Sequence, residues 1–435
     1  MEKPWVLLII GAGKSAGYAI EYWAEHAAQH GAEVWVVDRD FEPLFQGFGR
    51  HSAVRYVQGD ASDATFLVPI LGSCKWALSL LPATMHAKVA EHCVRLKVHL
   101  ATASYESAEM RALANQIEGA GLFFLNEMGL DPGIDHASAL ALLDEVRQRG
   151  ERVQSFESHC GGLVRLADCQ GNPWQYKFTW NPMNVVRAGQ GGDSLWREAG
   201  QLQRRGPQEV FEEIRPLVLE DGTWLEAYPN RDSLAYVDAY GLQEADRVLR
   251  GTLRRPGFCA AWNRLVQWGW VSDVESWPAH VQTYGQAFVL STGCAQLADL
   301  GLDAETQSRL AVLGLDDGQR LLPSRIPAEC LLSALMPVWA LGPEDHDEVI
   351  MVHQLETHSH RYLSSLVLQG ESSARTAMAK TVGLTLAMAV EIAVSEAGLA
   401  PGLHRPMSAW WYSRLLPKWK AMGIEFKHSC IPLPA

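Results

Sequence analysis

A glycine-rich segment near the start of the chain has residue types suited to holding a phosphate group. It directly follows the apolar run at 6–10 and reads Gly11-Ala12-Gly13-Lys14-Ser15-Ala16-Gly17. Gly11 allows a tight turn, Gly13 lets the backbone approach a pyrophosphate, and Ala16 permits close packing of a helix on a strand. The spacing predicts a dinucleotide-binding turn, although an ordinary glycine turn would have the same composition.

Asp38 indicates which dinucleotide such a turn would hold. This acid ends a second apolar run at 34–37. A carboxylate there can bind both ribose hydroxyls and repels a 2′-phosphate, which predicts NAD as the cofactor. Arg39 follows immediately and could soften the preference, so NADP stays open. The predicted cofactor-binding residues are Gly11, Gly13, Lys14, Ser15, Ala16, Asp38 and Arg39.

Later in the sequence, three side chains could carry acid–base or nucleophilic chemistry. Asp131 is predicted to cap a helix with Pro132 at its first position, or to place a carboxylate at the ligand-binding edge of a parallel sheet. Tyr105 follows an apolar run at 98–101 and is either a phenol donor or a packing residue. Cys160 precedes two glycines and is a nucleophile, an acid–base group, a lining residue or a buried hydrophobe.

Two segments that combine aromatic and polar residues each contain one cation. Residues 172–180 include Lys177, and residues 228–233 include Arg231. A cation beside aromatic rings suits a carboxylate ligand in a partly desolvated pocket, and arginine can hold that carboxylate through two hydrogen bonds. The alternative for each segment is a surface loop with a solvated charge.

Composition limits the remaining function classes. The chain has 435 residues, enough for two domains, and its 37 basic and 50 acidic residues give a net charge of −13. This charge argues against nucleic-acid and anionic-membrane partners. Eight scattered cysteines indicate neither a disulfide framework nor a zinc site and favour a cytoplasmic setting. Asp135 and His136 have no third ligand at matching spacing, so no metal is predicted.

The elements that would position these residues alternate along the first third of the chain. Strands are predicted at 6–10, 33–37, 54–57, 76–80, 98–101 and 122–126, and helices at 16–30, 65–71, 87–96 and 107–120. Strands separated by helices predict a doubly wound parallel sheet. Beyond about residue 150 we expect a mixed sheet from 154–180, loops around one or two helices at 187–221, a hairpin at 349–355 and 362–368, and a long helix at 373–397.

Taken together, these segments resemble the saccharopine dehydrogenases of the L-glutamate-forming type. The matching strings occur in the family's order and span nearly the whole chain. They are Ala101–Tyr105, Asn126–His136, Cys160–Leu163, Asn172–Trp180, Tyr228–Ser233, Arg250–Arg254, Gly257-Phe258 and Ala377–Gly383. Jointly they are far more specific than the glycine turn alone.

The resemblance implies an α/β fold, with a Rossmann doubly wound parallel sheet plus an α+β substrate and dimerisation domain built on a mixed sheet. It implies a discontinuous dinucleotide-binding domain at 1–130 and 373–435 and a substrate domain at 131–372. The implied activity is the reversible NAD(P)-dependent oxidation of saccharopine to L-glutamate and 2-aminoadipate 6-semialdehyde in lysine metabolism. A small-molecule amino-acid substrate and a homodimer are implied as partners.

The resemblance also implies residue roles. Tyr105, Asp131 and Cys160 are expected at the reaction centre. Arg231 resembles the family's carboxylate-binding residue, and we add Ser104 and Lys177 as expected substrate-binding residues. Saccharopine carries three carboxylates, so Arg231 and Lys177 would supply the positive charge that the whole chain lacks. Asp131 at a helix N-terminus is expected to stay ionised beside a developing iminium. The Cys160 side chain is expected to line the site, since hydride transfer needs no covalent thiol step.

Two departures from the family keep alternatives open. Asp38 stands where members that use NADP usually have a basic or neutral residue, and Val164-Arg165-Leu166-Ala167 replaces the family's usual Pro-Ala-Pro-Glu. One alternative is an enzyme of the same architecture acting on another amino-acid–carbonyl adduct, such as that of carboxynorspermidine formation. Another is a dinucleotide-binding protein without turnover.

Overall fold

The computed structural model describes residues 4–188 and 190–434; residues 1–3, Gly189 and Ala435, which fall within the predicted domains, lie outside the described residues. Its strands are β1 (Trp5–Ile10), β2 (Ala32–Asp38), β3 (Val54–Gln58), β4 (Trp76–Ser79), β5 (His99–Thr102), β6 (Phe123–Leu125), β7 (Val153–Val164), β8 (Ser194–Glu198), β9 (Gln201–Arg205), β10 (Arg215–Val218), β11 (Trp224–Pro229), β12 (Arg247–Arg254), β13 (Asp347–Thr357), β14 (His360–Gln369), β15 (Gly402–His404) and β16 (Lys427–Pro432). Its α-helices are α1 (Gly17–His26), α2 (Glu42–Phe48), α3 (Ala64–Leu71), α4 (His86–Leu96), α5 (Ala108–Ala112), α6 (Ala114–Gly119), α7 (Ile134–Gln148), α8 (Pro182–Val186), α9 (Ala235–Ala239), α10 (Phe258–Gln267), α11 (Tyr284–Thr292), α12 (Ala304–Ala311), α13 (Pro327–Trp339), α14 (Ala377–Ser395) and α15 (Ala409–Ala421).

The chain divides into two units, each made of two separate stretches. The first unit contains the residues up to Glu145 together with Gly370–Glu425. The second contains Val146–Gln369 together with the residues from Phe426 onward. The chain therefore passes between the units within α7 and again after β14 and α15.

The first unit is built on a parallel sheet of seven strands in the order β15-β6-β5-β4-β1-β2-β3. Helices α1 to α6 connect its first six strands. The central strand β1 is apolar and its residues 7–10 are fully buried, as expected of a parallel strand covered on both faces. Ligands of such sheets bind outside the carboxyl ends of the strands, where the order reverses between β1 and β4.

Helix α14 returns the chain to this unit and packs on α1. A Cβ at Gly383 would lie 2.7 Å from the Ser15 carbonyl oxygen and 3.1 Å from the Ala19 nitrogen, so a glycine permits this approach. By length and composition α14 could cross a membrane, with a mean hydropathy of 1.6 over its most apolar window. In the structure 72% of that window is buried, as in the core helix of a folded domain.

The second unit is built on a mixed sheet of nine strands. Seven run in the order β10-β11-β12-β7-β13-β14-β16, while β8 pairs with β12 and β9 pairs with β8. The β12–β7 pairing is parallel and the β7–β13 pairing is antiparallel. An apolar core rich in tryptophan joins one face of this sheet to α10, α11, α12 and α13. A parallel doubly wound sheet together with a mixed sheet confirms the predicted fold class.

Several segments differ from their predicted structure. Residues 187–221, predicted as loops around helices, contain β8, β9 and β10. These sequences are too polar to show the apolar–polar alternation of a strand, and hydrogen bonds to neighbouring strands stabilise them instead. In 154–180 the sheet contains only β7, which ends at Val164. Residues 131–145 group with the first unit, whereas 426–434 group with the second because β16 pairs with β14.

Candidate active site

The glycine-rich turn lies between β1 and α1 in a form that can accept a dinucleotide. Gly11 has a φ of 101°, a conformation that glycine adopts readily. A Cβ at Gly13 would meet no atom within 4 Å, so the backbone faces open space there. Lys14 is exposed, Ser15 is half-buried and Ala16 is buried where α1 begins. The open side at Gly13 suits a pyrophosphate at the helix N-terminus.

Asp38 lies directly beside this turn. Its Oδ2 accepts a hydrogen bond from the Ala12 N–H at 2.6 Å, and its Oδ1 accepts one from the Asp40 N–H at 3.0 Å. The last residue of β2 is therefore held where a ribose would lie beside the glycine turn. Arg39 is exposed next to it, and its carbonyl accepts a hydrogen bond from Gln58.

Tyr105 and Asp131 form a hydrogen-bonded pair in the first unit. The phenol oxygen of Tyr105 donates to Oδ1 of Asp131 at 2.9 Å. Tyr105 follows β5 and Asp131 follows β6, so both come after carboxyl ends of parallel strands. Tyr105 is 39% exposed, so its ring is accessible to a ligand. A phenol in contact with a carboxylate can take up a proton and pass it on.

The predicted helix cap at Asp131 is wrong. Helix α7 begins at Ile134, and Asp131 lies in a turn before it. The turn closes because the Gly129 N–H donates to the Pro132 carbonyl at 2.9 Å. Gly133 has a φ of 144°, and a Cβ there would lie 2.1 Å from the Gly129 carbonyl oxygen. The argument that a helix N-terminus keeps Asp131 ionised therefore loses its basis, and the Tyr105 hydroxyl is its observed partner.

Glu127 holds the backbone on both sides of Tyr105. Its N–H donates to the Ser104 carbonyl at 3.0 Å, and its Oε1 accepts a hydrogen bond from the Glu106 N–H at 3.0 Å. Its Oε2 lies 3.0 Å from Nε2 of His136, and its φ is 60°, which is uncommon for a non-glycine residue. His136 and the backbone hydrogen bond lower the pKa of the buried Glu127 carboxyl against the effect of burial. Glu127 is therefore a positioning residue for Tyr105.

His86 connects the ends of two strands to Ser104. Its Nδ1 lies 3.0 Å from the Ser79 hydroxyl at the end of β4. Its Nε2 lies 2.9 Å from the Ser104 hydroxyl and 3.0 Å from the Thr102 hydroxyl at the end of β5. Burial lowers the pKa of His86 to about 4, so the ring is neutral at neutral pH. The hydrogen bond to His86 thus orients the hydroxyl of the predicted substrate residue Ser104.

Cys160 lies in the second unit, within a row of polar side chains on one face of the sheet. On β7 it is half-buried and is in register with Thr252 of β12 and Met351 of β13. Thr252 is in turn paired with Tyr228 of β11. Residues directly opposite one another on neighbouring strands project from the same face. Cys160, Thr252 and Tyr228 therefore share a face, which agrees with a lining role for the thiol.

Arg231 follows β11 in the same unit and has a strained backbone. Its φ is 55°, and its carbonyl accepts a hydrogen bond from the Leu195 N–H at 2.9 Å. Its side chain is exposed, and its Nε would lie 3.5 Å from a Cβ at Gly191. Non-glycine residues at positive φ occur frequently at ligand-binding sites, which supports the predicted carboxylate-binding role.

Lys177 does not have the environment expected of a substrate-binding cation. Its ammonium group lies 2.6 Å from Oδ2 of Asp345, and both side chains are partly buried. The charge of Lys177 is therefore already balanced within the second unit. Its segment also contributes Trp174 and Tyr176 to the aromatic core instead of forming a solvated loop.

Sequence patterns did not identify His86 or Glu127 as site residues. Glu127 occurs inside a matching string, but its sequence shows nothing of its contacts around Tyr105, which depend on the return of the chain after β6. His86 lies in the first turn of α4 and has no motif of its own. The one available signal was the position of His86 shortly after an apolar run that ends in Ser79.

Comparisons with known proteins agree on one family. Residues 7–125 match the family model described as the saccharopine dehydrogenase NADP binding domain, and residues 129–424 match the saccharopine dehydrogenase C-terminal domain. The mitochondrial alpha-aminoadipic semialdehyde synthase of Rattus norvegicus is 29% identical over 444 residues, which cover 97% of this chain and 47% of the rat protein. The chain thus spans about half the length of that relative.

Two further matches cover most of both proteins. The saccharopine dehydrogenase (NADP(+), L-glutamate-forming) of Saccharomyces cerevisiae is 29% identical over 387 residues, which cover 83% of this chain and 86% of the yeast protein. The solved structure of an apo saccharopine dehydrogenase (L-Glu forming) from the same yeast has a TM-score of 0.85 at 27% identity, covering 98% of this chain and 100% of that one. A homospermidine synthase from Legionella pneumophila, with a TM-score of 0.60 at 8% identity, shares the fold.

Proposed function

Because this chain belongs to the saccharopine dehydrogenase family, we propose that it catalyses the reversible oxidation of saccharopine in lysine metabolism. Saccharopine, the oxidised nicotinamide dinucleotide and water give L-glutamate, 2-aminoadipate 6-semialdehyde, the reduced dinucleotide and a proton. The observation that carries the proposal is the 2.9 Å hydrogen bond between Tyr105 and Asp131 after the carboxyl ends of two parallel strands.

The dinucleotide would be held by the turn at Gly11 and Gly13 and by the carboxylate of Asp38. The open space at Gly13 and the position of Asp38 beside Ala12 support this assignment. A bound nicotinamide supplies the hydride acceptor of the oxidation. Asp38 supports a preference for NAD, whereas the yeast relative is named for NADP(+).

The residues of the chain would manage protons and charge. The secondary amine must lose a proton as its neighbouring carbon is oxidised, and the Tyr105–Asp131 pair offers a carboxylate acceptor and a phenol relay. Its negative charge would also stabilise the positive iminium that develops on the substrate. Water then adds to the imine carbon, and the same pair can accept and return the proton that this hydrolysis moves.

Substrate charge has to be balanced locally, because the chain has a net charge of −13 and saccharopine carries three carboxylates. Arg231 has the exposure and the conformation to bind one of them. Arg165, in the segment that departs from the family, is paired with Asp168 at 2.9 Å and does not supply charge for a different anion. This pairing supports saccharopine over another amino-acid–carbonyl adduct.

The proposal includes a cytoplasmic homodimer that has no nucleic-acid or membrane partner. All eight cysteines are free thiols, which supports a reducing compartment. Val367 on β14 and Ile431 on the edge strand β16 are about half exposed, and we place the second copy against this edge of the mixed sheet. Light scattering of the purified protein, together with fractionation of the producing cells, tests these two statements.

The decisive experiment is a steady-state assay with saccharopine, NAD and NADP that follows the absorbance of the reduced nicotinamide. Turnover is expected, and Asp131→Asn should lower kcat by about a hundredfold, as expected for removal of an acid–base group. Asp63→Asn is the matched control, since Asp63 caps α3 and asparagine caps equally well.

Full activity of Asp131→Asn would show that the assigned role is wrong. A protein that binds NAD but turns over saccharopine with neither cofactor would refute this substrate. That result would point to another adduct, with Val164–Ala167 as the segment responsible.

A further inference from the structure

His136 lies between two buried carboxylates in the first turn of α7. Its Nε2 lies 3.0 Å from Oε2 of Glu127, and its Nδ1 lies 3.7 Å from Oδ2 of Asp135. All three residues are buried, with exposed fractions of 0% for His136, 4% for Glu127 and 1% for Asp135. A buried carboxylate is stable only where a positive charge or hydrogen-bond donors compensate its lost hydration. The ring of His136 is placed to compensate both acids.

Each of these carboxylates also binds the backbone beside one member of the Tyr105–Asp131 pair. Oε1 of Glu127 accepts a hydrogen bond at 3.0 Å from the N–H of the residue that follows Tyr105. Oδ1 of Asp135 accepts one at 2.6 Å from the N–H of Gly133, two residues after Asp131. The backbone on both sides of the 2.9 Å Tyr105–Asp131 hydrogen bond is thus held by two acids that share one histidine.

The backbone at both anchor points has an uncommon conformation. The φ of Glu127 is 60° and that of Gly133 is 144°. A non-glycine residue at positive φ persists only where its surroundings fix it. Glu127 is fixed through its N–H, which donates to the Ser104 carbonyl, and through its carboxylate, which lies against His136. Loss of the imidazole would therefore release a strained residue and leave its buried carboxylate less compensated.

We propose that His136 is a positioning residue for the reaction centre and that, through Glu127 and Asp135, it fixes the Tyr105 hydroxyl against the Asp131 carboxylate. This inference rests on the proposed function, in which that pair handles the protons of the reaction. A residue that acts only through the pair alters the chemical step and leaves ligand binding as it is. Its loss should therefore lower kcat without raising KM.

The ionisation of Glu127 adds a pH dependence to this role. Burial by itself raises the pKa of the Glu127 carboxyl, whereas His136, the backbone hydrogen bond and the charge of Arg405 together bring it below its usual range. The neighbouring carboxylate of Glu106 is paired with Arg111 at 2.8 Å. Without the imidazole, burial has the larger effect, and Glu127 takes up a proton at a higher pH.

The kinetic test compares two substitutions of His136 with a matched substitution of another histidine. His136→Leu removes the imidazole, and His136→Gln keeps a donor for Glu127. His99→Gln is the control, because His99 is a partly buried histidine at the amino end of β5, where its Nδ1 accepts the Phe123 N–H at 3.0 Å. His136→Leu should lower kcat by about ten- to a hundredfold, as expected when reacting groups are misplaced. His136→Gln should recover part of that loss, and His99→Gln should leave kcat unchanged.

Two further kinetic readouts separate positioning from a general loss of structure. In His136→Leu, kcat should begin to fall with decreasing pH about one unit or more above the pH at which it falls in the parent. In a Glu127→Gln background the same substitution should cost less, since the amide carries no charge to compensate. Losses that simply add in the double variant would contradict the link through Glu127.

NMR of isotope-labelled tyrosine, observed at the ring carbon that carries the hydroxyl, follows the Tyr105–Asp131 contact without any turnover. Tyr105→Phe assigns the signal, and Asp131→Ala gives its position without the hydrogen bond. The signal should move towards that position in His136→Leu and stay in place in His99→Gln. If His136→Leu does not fold, His136→Gln takes its place, with a smaller shift in the same direction.

An unchanged Tyr105 signal in the folded His136 variant would overturn the proposal. A lower melting temperature with kcat unchanged per folded molecule would overturn it as well, since His136 would then serve stability alone. Failure of the parent to oxidise saccharopine would refute the proposed function instead, and the NMR comparison would still decide whether His136 holds the pair together.

Discussion

The carboxylate of Asp38 should set the choice between NAD and NADP, and Asp38→Asn isolates its charge. The asparagine oxygen can still accept the hydrogen bond from the Ala12 N–H, which is 2.6 Å long in the parent. The turn should therefore keep its shape, and the amide can still bind a ribose hydroxyl. The main change is the loss of one negative charge beside the position of a 2′-phosphate.

The size of the effect follows from the environment of this carboxylate. Two unit charges 4 Å apart interact by about 4 kcal/mol at an effective dielectric constant of 20, which is an upper bound here. Asp38 is half-buried next to exposed residues, so solvent screens part of that repulsion. We expect about 1.4–2.8 kcal/mol of relief for NADP, which corresponds to a rise of about ten- to a hundredfold in its kcat/KM relative to NAD.

The assay compares kcat/KM for the two cofactors at saturating saccharopine in Asp38→Asn and in the parent. Glu33→Gln is the control, because Glu33 is an exposed acid near the opposite, amino-terminal end of β2 and should leave the cofactor ratio unchanged. An unchanged ratio in Asp38→Asn would refute the reasoning. A parent that already prefers NADP would refute it as well, since Asp38 would then not face the ribose.

Three further predictions concern the parts that surround this site. Tyr105→Phe should lower kcat by about a hundredfold with little change in the KM for saccharopine; Tyr412→Phe, which removes another 2.9 Å tyrosine–aspartate bond, should not. The pKa of His86 is lowered to about 4 from 6.5. Its neutral form therefore contributes stability that is fully present above pH 6.5 and is lost as the pH falls towards 4. In His86→Gln the free energy of unfolding by urea should depend less steeply on pH between 6.5 and 4.5, with a slope that is smaller by up to about 1.4 kcal/mol per pH unit. Gly383→Ala places a Cβ 2.7 Å from a backbone oxygen of the glycine turn and should cost about 1–3 kcal/mol of unfolding free energy, whereas Gly119→Ala, with no atom within 4 Å, should be neutral or stabilising in the same denaturation assay.

Much of the first unit can be predicted from sequence because its signals are local. A run such as Leu7–Ile10 is buried on both faces of a parallel strand, so its apolar character is continuous and easily recognised. The glycine turn and the acid that ends the second strand have fixed positions relative to those strands. The cofactor side of the fold therefore follows from residue spacing alone.

The second unit is less predictable because its strands depend on distant partners. Gln201–Arg205 is polar and exposed along most of its length, and it becomes β9 by pairing with β8. The segment at 427–432 has no apolar alternation, yet it forms β16 on the edge of β14. In both cases the stabilising hydrogen bonds come from another strand, and the local pattern does not record them.

The sequence determined which chemical groups this protein possesses: the glycine turn, Asp38, Tyr105, Asp131, Cys160 and the arginines that match the family strings. The tertiary structure decided which of them have partners. It joined Tyr105 to Asp131 across 26 residues and paired Lys177 with Asp345 across 168 residues. The physical reason is that a charge or a hydrogen-bonding group is balanced by whatever the fold places within about 3 Å of it. That distance depends on the path of the whole chain, whereas residue spacing describes only the nearest turns.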